Sequence, residues 1–117
     1  MTQNNQHSVY AQESVHDVKK YIDGNPVLHK TVAALWKANP GVSRSSVEKS
    51  FKSVTGYRIK EYMVLKRLEQ SKQFLRDGMP IKRVALKFFY KSQSAYCTAF
   101  KRVFNVSPTD WLNDGQQ

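Results

Sequence analysis

Apolar side chains recur along this chain every three to four residues, the period of a helix that buries one face. Over 12–23 the face is Val15, Val18, Tyr21 and Ile22, and Gly24-Asn25-Pro26 stops it. Over 29–38 it is Val32, Leu35 and Trp36, ending at the turn signal Asn39-Pro40-Gly41. A third helix, opened by Ser43 and closed by Gly56, carries Val47, Phe51 and Val54. The longest, 58–76, is expected to bury Ile59, Tyr62, Met63, Leu68, Phe74 and Leu75 before Gly78 ends it. Pro80 suits the first position of a helix over 80–88 that buries Ile81, Val84, Ala85 and Phe88. A helix from Ser92 to Asn105 follows, with Tyr96, Phe100 and Val103 inward. Last comes a short helix after Ser107-Pro108-Thr109-Asp110 that carries Trp111 and Leu112. No segment alternates as a half-buried strand would, so the pattern predicts an all-α fold of about seven helices.

Two of these helices are copies of one pattern set 49 residues apart, starting at Ser43 and Ser92. Each reads Ser, seven residues, Phe-Lys, one residue, Val, one residue, then Gly56 or Asn105. The serine oxygen can accept an orphan backbone N–H at the helix start. Gly or Asn can close the other end in the left-handed conformation. The apolar face of each copy is matched by a face of small polar and basic residues. The order is thus helix, turn, polar-faced helix, a long helix, and then helix, turn, polar-faced helix again. That is two helix-turn-helix subdomains, 12–57 and 78–113, joined by a central helix over 58–77.

Charge sharpens this picture. The chain carries +10, with 19 Lys and Arg against 9 Asp and Glu. Residues 44–102 hold 15 basic and four acidic residues, a net +11, while the remainder holds four against five, a net −1. A basic excess confined to one region is the footprint of a polyanion partner. Its bland alternative is a solvated face that keeps the protein soluble. No stretch approaches the roughly 20 apolar residues of a spanning helix, so no membrane partner is expected. With 117 residues the chain has room for one domain. The polar leader 1–11 and the tail 114–117 are expected to be disordered or frayed. Residues 1–8 lack the apolar run of a secretory leader, and the one cysteine excludes an internal disulfide, so a reducing intracellular compartment is the default.

Catalytic and metal chemistry find little support. His7, His16 and His29 have neither metal-ligand spacing nor cysteine companions. Neither a nucleophilic triad nor a glycine-rich phosphate loop can be defended, and the acids are scattered; an enzyme is the least supported class, and no cofactor or metal is expected. Phe51, Phe100, Phe104 and Trp111 stand at helical spacing and read as core, not as a stacking platform for single strands. Cys97, with no activating partner in sight, reads as an inert thiol.

In a helix-turn-helix the second helix lies in the major groove with its N-terminal residues on base edges. A linker near twenty residues, rising about 1.5 Å each, has the length to bridge grooves about 34 Å apart. At this point the chain resembles the DNA-binding domain of AraC/XylS-type transcriptional regulators. The resemblance rests on Phe51-Lys52-x-Val54-x-Gly56, the run from Tyr62 to Arg67-Leu68, and Ile81-x-x-Val84-Ala85. Its most specific part is Ser92 through Phe100-Lys101-x-x-Phe104-x-Val106-Ser107-Pro108 to Trp111. It covers about residues 12–112 and implies two helix-turn-helix units in adjacent major grooves of double-stranded DNA.

Carried onto this sequence, the resemblance implies base-contact candidates Arg44, Ser45, Glu48 and Lys49 on the first reading helix. On the second they are Gln93, Ser94, Ala95 and Thr98. Arg44 and Lys49 suit guanine, Gln93 suits adenine, Glu48 suits cytosine, and the Ala95 methyl suits that of thymine. Lys52, Arg58, Lys66, Arg67, Lys82, Lys91, Lys101 and Arg102 are candidates for phosphate contacts. Phe89-Tyr90 departs from the Gly-aromatic pair usual in the second turn. A bulky Phe89 is expected to avoid the left-handed conformation, giving that turn a different course. The first turn looks one residue longer than usual, and the short side chains of Ser45 and Ser46 suggest few base contacts there. The expectation is therefore a sequence-specific regulator of bacterial transcription, more an activator than a repressor. It would bind as a monomer in the cytoplasm, in contact with RNA polymerase, with no small-molecule ligand in this domain. It would be a stand-alone protein or part of a longer one. The competing class is a basic helical module that binds DNA non-specifically or binds another protein.

Overall fold

The computed structural model describes residues 9–24, 32–38 and 44–114. Among these, seven helices occur: α1 (Val9–Gly24), α2 (Val32–Ala38), α3 (Arg44–Thr55), α4 (Ile59–Arg76), α5 (Ile81–Lys87), α6 (Gln93–Phe104) and α7 (Pro108–Asn113), and no strand. The all-α expectation therefore holds for the described residues. Of the leader expected over 1–11, residues 9–11 belong to α1, and residues 1–8 lie outside the described residues. Asp114, expected to fray, closes α7 with its N–H on the Asp110 carbonyl at 2.9 Å. Ser43 and the turn 39–42, including its expected extra residue, also fall outside the described residues.

The chain divides into two compact units, one reaching to Lys66 and the other beginning at Arg67, so α4 contributes to both. The first has its own core: Val15, Val18 and Ile22 of α1, Leu35 of α2, Val47 and Phe51 of α3, and Ile59, Tyr62 and Met63 of α4. These are the positions that the helical periodicity selects, and α1 packs directly on α3. In the second unit Val84, Ala85, Phe88, Tyr96, Phe100 and Trp111 are buried, as are Leu68, Ser71 and Leu75 of α4. α5 and α7 each pack on α6. Rings interlock there: Phe100 meets Phe104 at 4.7 Å and Trp111 at 6.1 Å between centroids. Phe74, Ile81 and Val103, expected inward, are only half-buried. Val54, expected inward, is 56% exposed, so the buried stripe of α3 ends at Phe51.

Helix ends follow local chemistry. The Ser92 side chain accepts the Ala95 N–H at 3.1 Å, and Ser107 does the same for Asp110. Gly56 and Asn105 close α3 and α6 at φ of 83° and 67°, as the paired pattern requires. α4 ends in a double wrap: the Gly78 N–H reaches the Leu75 carbonyl and the Met79 N–H reaches Phe74. The end of α5 corrects an expectation. Phe89 does adopt the left-handed conformation, at φ 72°. Its N–H reaches the Leu86 carbonyl at 3.2 Å and the Tyr90 N–H reaches Ala85 at 3.0 Å, the same wrap that Gly78 makes. A side chain in this conformation costs about 1–2 kcal/mol. The two backbone bonds, and contacts to the Phe89 ring described below, offset it.

Candidate nucleic-acid interface

α3 and α6 owe their two-sidedness to the repeated pattern. Val47 and Phe51 in one, and Tyr96 and Phe100 in the other, are fully buried and stand at the same offsets from their opening serines. With these pairs fixed inward, a 3.6-residue period turns the residues at intervening positions outward. On α3 the exposed polar residues are Arg44, Ser45, Ser46, Lys49, Lys52 and Ser53; on α6 the exposed residues are Gln93, Ser94, Ala95, Thr98, Lys101 and Arg102. Seven of the eight base-contact candidates are thus solvent-facing. The eighth, Glu48, is half-buried, and its carboxylate lies 3.6 Å from Arg44 Nε one turn away. That exposed pair adds little stability, but it makes the two side chains compete with any base they would meet.

Beside α3 lies an open groove of about 540 Å³ lined by Glu48, Lys49, Lys52, Arg58, Ile59 and Lys60. Its far lip is the start of α4, where Glu61 accepts the Arg58 N–H at 2.8 Å and so caps the helix. Thr55 bonds the Phe51 carbonyl at 2.7 Å and receives the Tyr57 N–H at 3.1 Å, fixing the connection. Four cations against one carboxylate make this groove attractive to phosphate. Lys60 was not among the sequence candidates. Its place at the start of a helix, close to Arg58 and just past the helix-closing Gly56, was the available signal.

The phosphate candidates divide. Lys52, Arg58, Lys82, Lys91, Lys101 and Arg102 are exposed. Lys66 is half-buried, with Nζ 3.7 Å from the Asp23 carboxylate of α1 and over the Tyr62 ring at 5.7 Å. Tyr62 donates a hydrogen bond to that carboxylate, and Lys19 also pairs with it at 3.3 Å. Burial pulls the Asp23 carboxyl upward, but Tyr62, Lys19 and Lys66 outweigh it and leave it below the ordinary value. Arg67 is the larger departure. Its residue is 7% exposed, too buried to reach a phosphate, and its guanidinium hydrogen-bonds the Tyr90 hydroxyl. Burial lowers the Arg67 pKa and raises that of Tyr90. Periodicity could have shown this, since Met63, Arg67, Ser71 and Leu75 stand four apart on one face of α4.

Ser71 is the other residue that the sequence reading passed over. Fully buried, it donates to the Leu68 carbonyl at 2.6 Å and lies 2.6 Å from the Tyr96 hydroxyl. Burial pushes the Tyr96 hydroxyl up to about 12 despite that bond. Cys97 is half-buried on α6, and burial raises its thiol, which keeps it in the less reactive form. The described residues hold no group of His, Cys, Asp or Glu that could bind a metal ion, and no helix among them is long and apolar enough to cross a membrane.

Residues 38–114 match the sequence profile of the family described as a helix-turn-helix domain. An AraC-like transcription regulator of Streptomyces antibioticus is 36% identical over 92 residues, which cover 78% of this chain and 30% of that protein. The probable transcription factor PqrA of Proteus vulgaris is 27% identical over 107 residues, covering 90% of this chain and 88% of PqrA. The chain therefore spans about a third of the length of the first relative and most of the second. Among solved structures, that of a probable AraC family transcriptional regulator from Rhodopseudomonas palustris superposes with a TM-score of 0.71 at 22% identity. It covers 90% of this chain and 99% of that one, a likeness of fold. These relatives are transcription regulators, a class without enzymatic activity.

Proposed function

This chain belongs to the AraC-type helix-turn-helix family of transcription regulators, and we propose that it binds double-stranded DNA sequence-specifically through α3 and α6. The two helices enter adjacent segments of the major groove. One observation carries this reading: two copies of a single sequence pattern fold with the same residues buried and the same polar or basic face exposed.

Residue chemistry assigns the roles. Gln93 offers an amide that can pair with adenine, and the Ala95 methyl suits thymine. Ser94 and Thr98 supply short hydroxyls to either kind of base, while α3 offers Arg44 and Lys49 to guanine, Glu48 to cytosine, and Ser45. Lys52, Arg58 and Lys60 around the groove, with Lys82, Lys91, Lys101 and Arg102 in the second unit, hold the phosphate backbone and fix the register. Lys66 and Arg67 drop out of that set, since each is occupied within the fold. The protein binds as a monomer on the bacterial nucleoid and activates transcription through a contact with RNA polymerase, with no small-molecule ligand in this domain.

The test is duplex binding at several salt concentrations, comparing sequences selected from a random pool with scrambled ones. The expected result is a selected-to-scrambled ratio of about 10³ or more that persists while both affinities fall with salt. Equal affinity for both, with the same steep salt dependence, would leave only non-specific polyanion binding.

A further inference from the structure

Arg67 heads a chain of contacts that ends on α6. Its guanidinium carbon lies 5.4 Å from the centre of the ring of Phe89, a residue 36% exposed just past the end of α5. The same guanidinium bonds the hydroxyl of Tyr90, the next residue. The Tyr90 ring meets Tyr96 edge to face at 5.6 Å, and Tyr96 is the first buried side chain of α6. One turn along α4 from Arg67, Ser71 holds the Tyr96 hydroxyl. Residues 89, 90 and 96 bracket the start of α6, where Gln93, Ser94 and Ala95 are displayed.

Phe89 takes a left-handed backbone that favours glycine, at a place where a small rotation would swing the next helix. A guanidinium suits the task of holding it. It is planar, so it can stack on a ring with its face while bonding a hydroxyl with its edge, which an ammonium cannot do. We propose that Arg67 is a positioning residue: by clasping Phe89 and Tyr90 it holds the left-handed turn between α5 and α6 and so fixes how α6 presents its reading face. The proposal rests on the assignment of α6 to DNA reading.

A residue that merely fills space under α6 would cost the same to replace whatever stands at position 89. The experiment therefore crosses Arg67→Met, of similar length, with Phe89→Gly, which removes both the strain and the ring. Urea unfolding and binding to the selected and scrambled duplexes are measured for each single variant and the pair. With Arg67 in place, Phe89→Gly is expected to change the folding equilibrium by less than about threefold. Arg67→Met should weaken folding and lower the selected-to-scrambled ratio. In the Phe89→Gly background its effect on folding should be at least about threefold smaller, the remainder being the bond to Tyr90, with the ratio recovered. Arg67→Lys should behave as Arg67→Met does, since it keeps charge and loses the planar face. Should Arg67→Met not fold, the lysine variant provides the same comparison. Equal losses from the Arg67 substitution in both backgrounds would overturn the proposal, as would a lysine variant matching the unaltered protein. If the unaltered protein does not distinguish the duplexes, the DNA-reading assignment fails. The unfolding comparison then still decides whether Arg67 holds the turn.

Discussion

Gln93 and Lys101 share the exposed side of α6, and in the proposed DNA-binding role their chemistry would divide specificity from affinity. An amide can satisfy a base edge in only one arrangement, whereas an ammonium satisfies any phosphate. Gln93→Ala should change preference at one base position by about 1–3 kcal/mol, read by competition among single-base variants of the selected duplex. Lys101→Ala should weaken all duplexes alike and reduce the salt slope by about one. Below this face, Tyr96 and Ser71 are a fully buried pair, in which the Ser71 hydroxyl donates to the Leu68 carbonyl and lies against the Tyr96 hydroxyl. Tyr96→Phe should cost about 0.5–1.5 kcal/mol in urea unfolding, the worth of one hydrogen bond, because the Ser71 hydroxyl keeps its bond to the Leu68 carbonyl. Ser71 was not legible as a buried hydrogen-bonding residue because its type is found as readily on the surface. Only its register, four residues before Leu75 and eight after Met63, marked it as inward.

At the scale of elements, termini explain why the helices start and stop where they do. Ser92 was legible as a cap because an oxygen-bearing side chain precedes the apolar period by a fixed offset. The structure places its oxygen 3.1 Å from the Ala95 nitrogen. Ser92→Ala should destabilise the protein by about 1 kcal/mol, measured by denaturant unfolding, and loosen the turn that displays Gln93. The C-terminal ends were partly legible. Gly56, Gly78 and Asn105 all have positive φ, as their types suggest. Phe89 shares that conformation although its type argues against it, because the compensating groups lie on α4, twenty-two residues back in sequence.

At the scale of the molecule, two units with separate cores share the central helix, and each contains one tryptophan, Trp36 in the first and Trp111 in the second. Asp23 belongs to the first. Its carboxyl is held below the ordinary value in the fold, so its contribution is present above the unfolded value, near pH ~4. That contribution is lost as pH falls through the folded value. On acidification from about pH 5 to about pH 2, fluorescence from Trp36, isolated by Trp111→Phe, should report loosening of the α1–α4 contact. Asp23→Asn should remove this acid-dependent step while leaving any step due to other carboxylates. A profile identical in both proteins would show that Asp23 is not its source.

The sequence by itself determined the helices, the doubling of the Ser-to-Phe-Lys pattern and the concentration of positive charge, because periodicity, capping residues and net charge are local or additive. It also determined most of the exposed face of α3 and α6, since fixing Val47 and Phe51 or Tyr96 and Phe100 inward turns the intervening residues outward. Only the tertiary structure decided which cations remain available. Lys66 is drawn to Asp23, and Arg67 is buried against Phe89 and Tyr90. A charge count cannot distinguish a lysine facing solvent from one facing a carboxylate on another helix. The same holds for the turn at Phe89: its strain is local, and its support is tertiary.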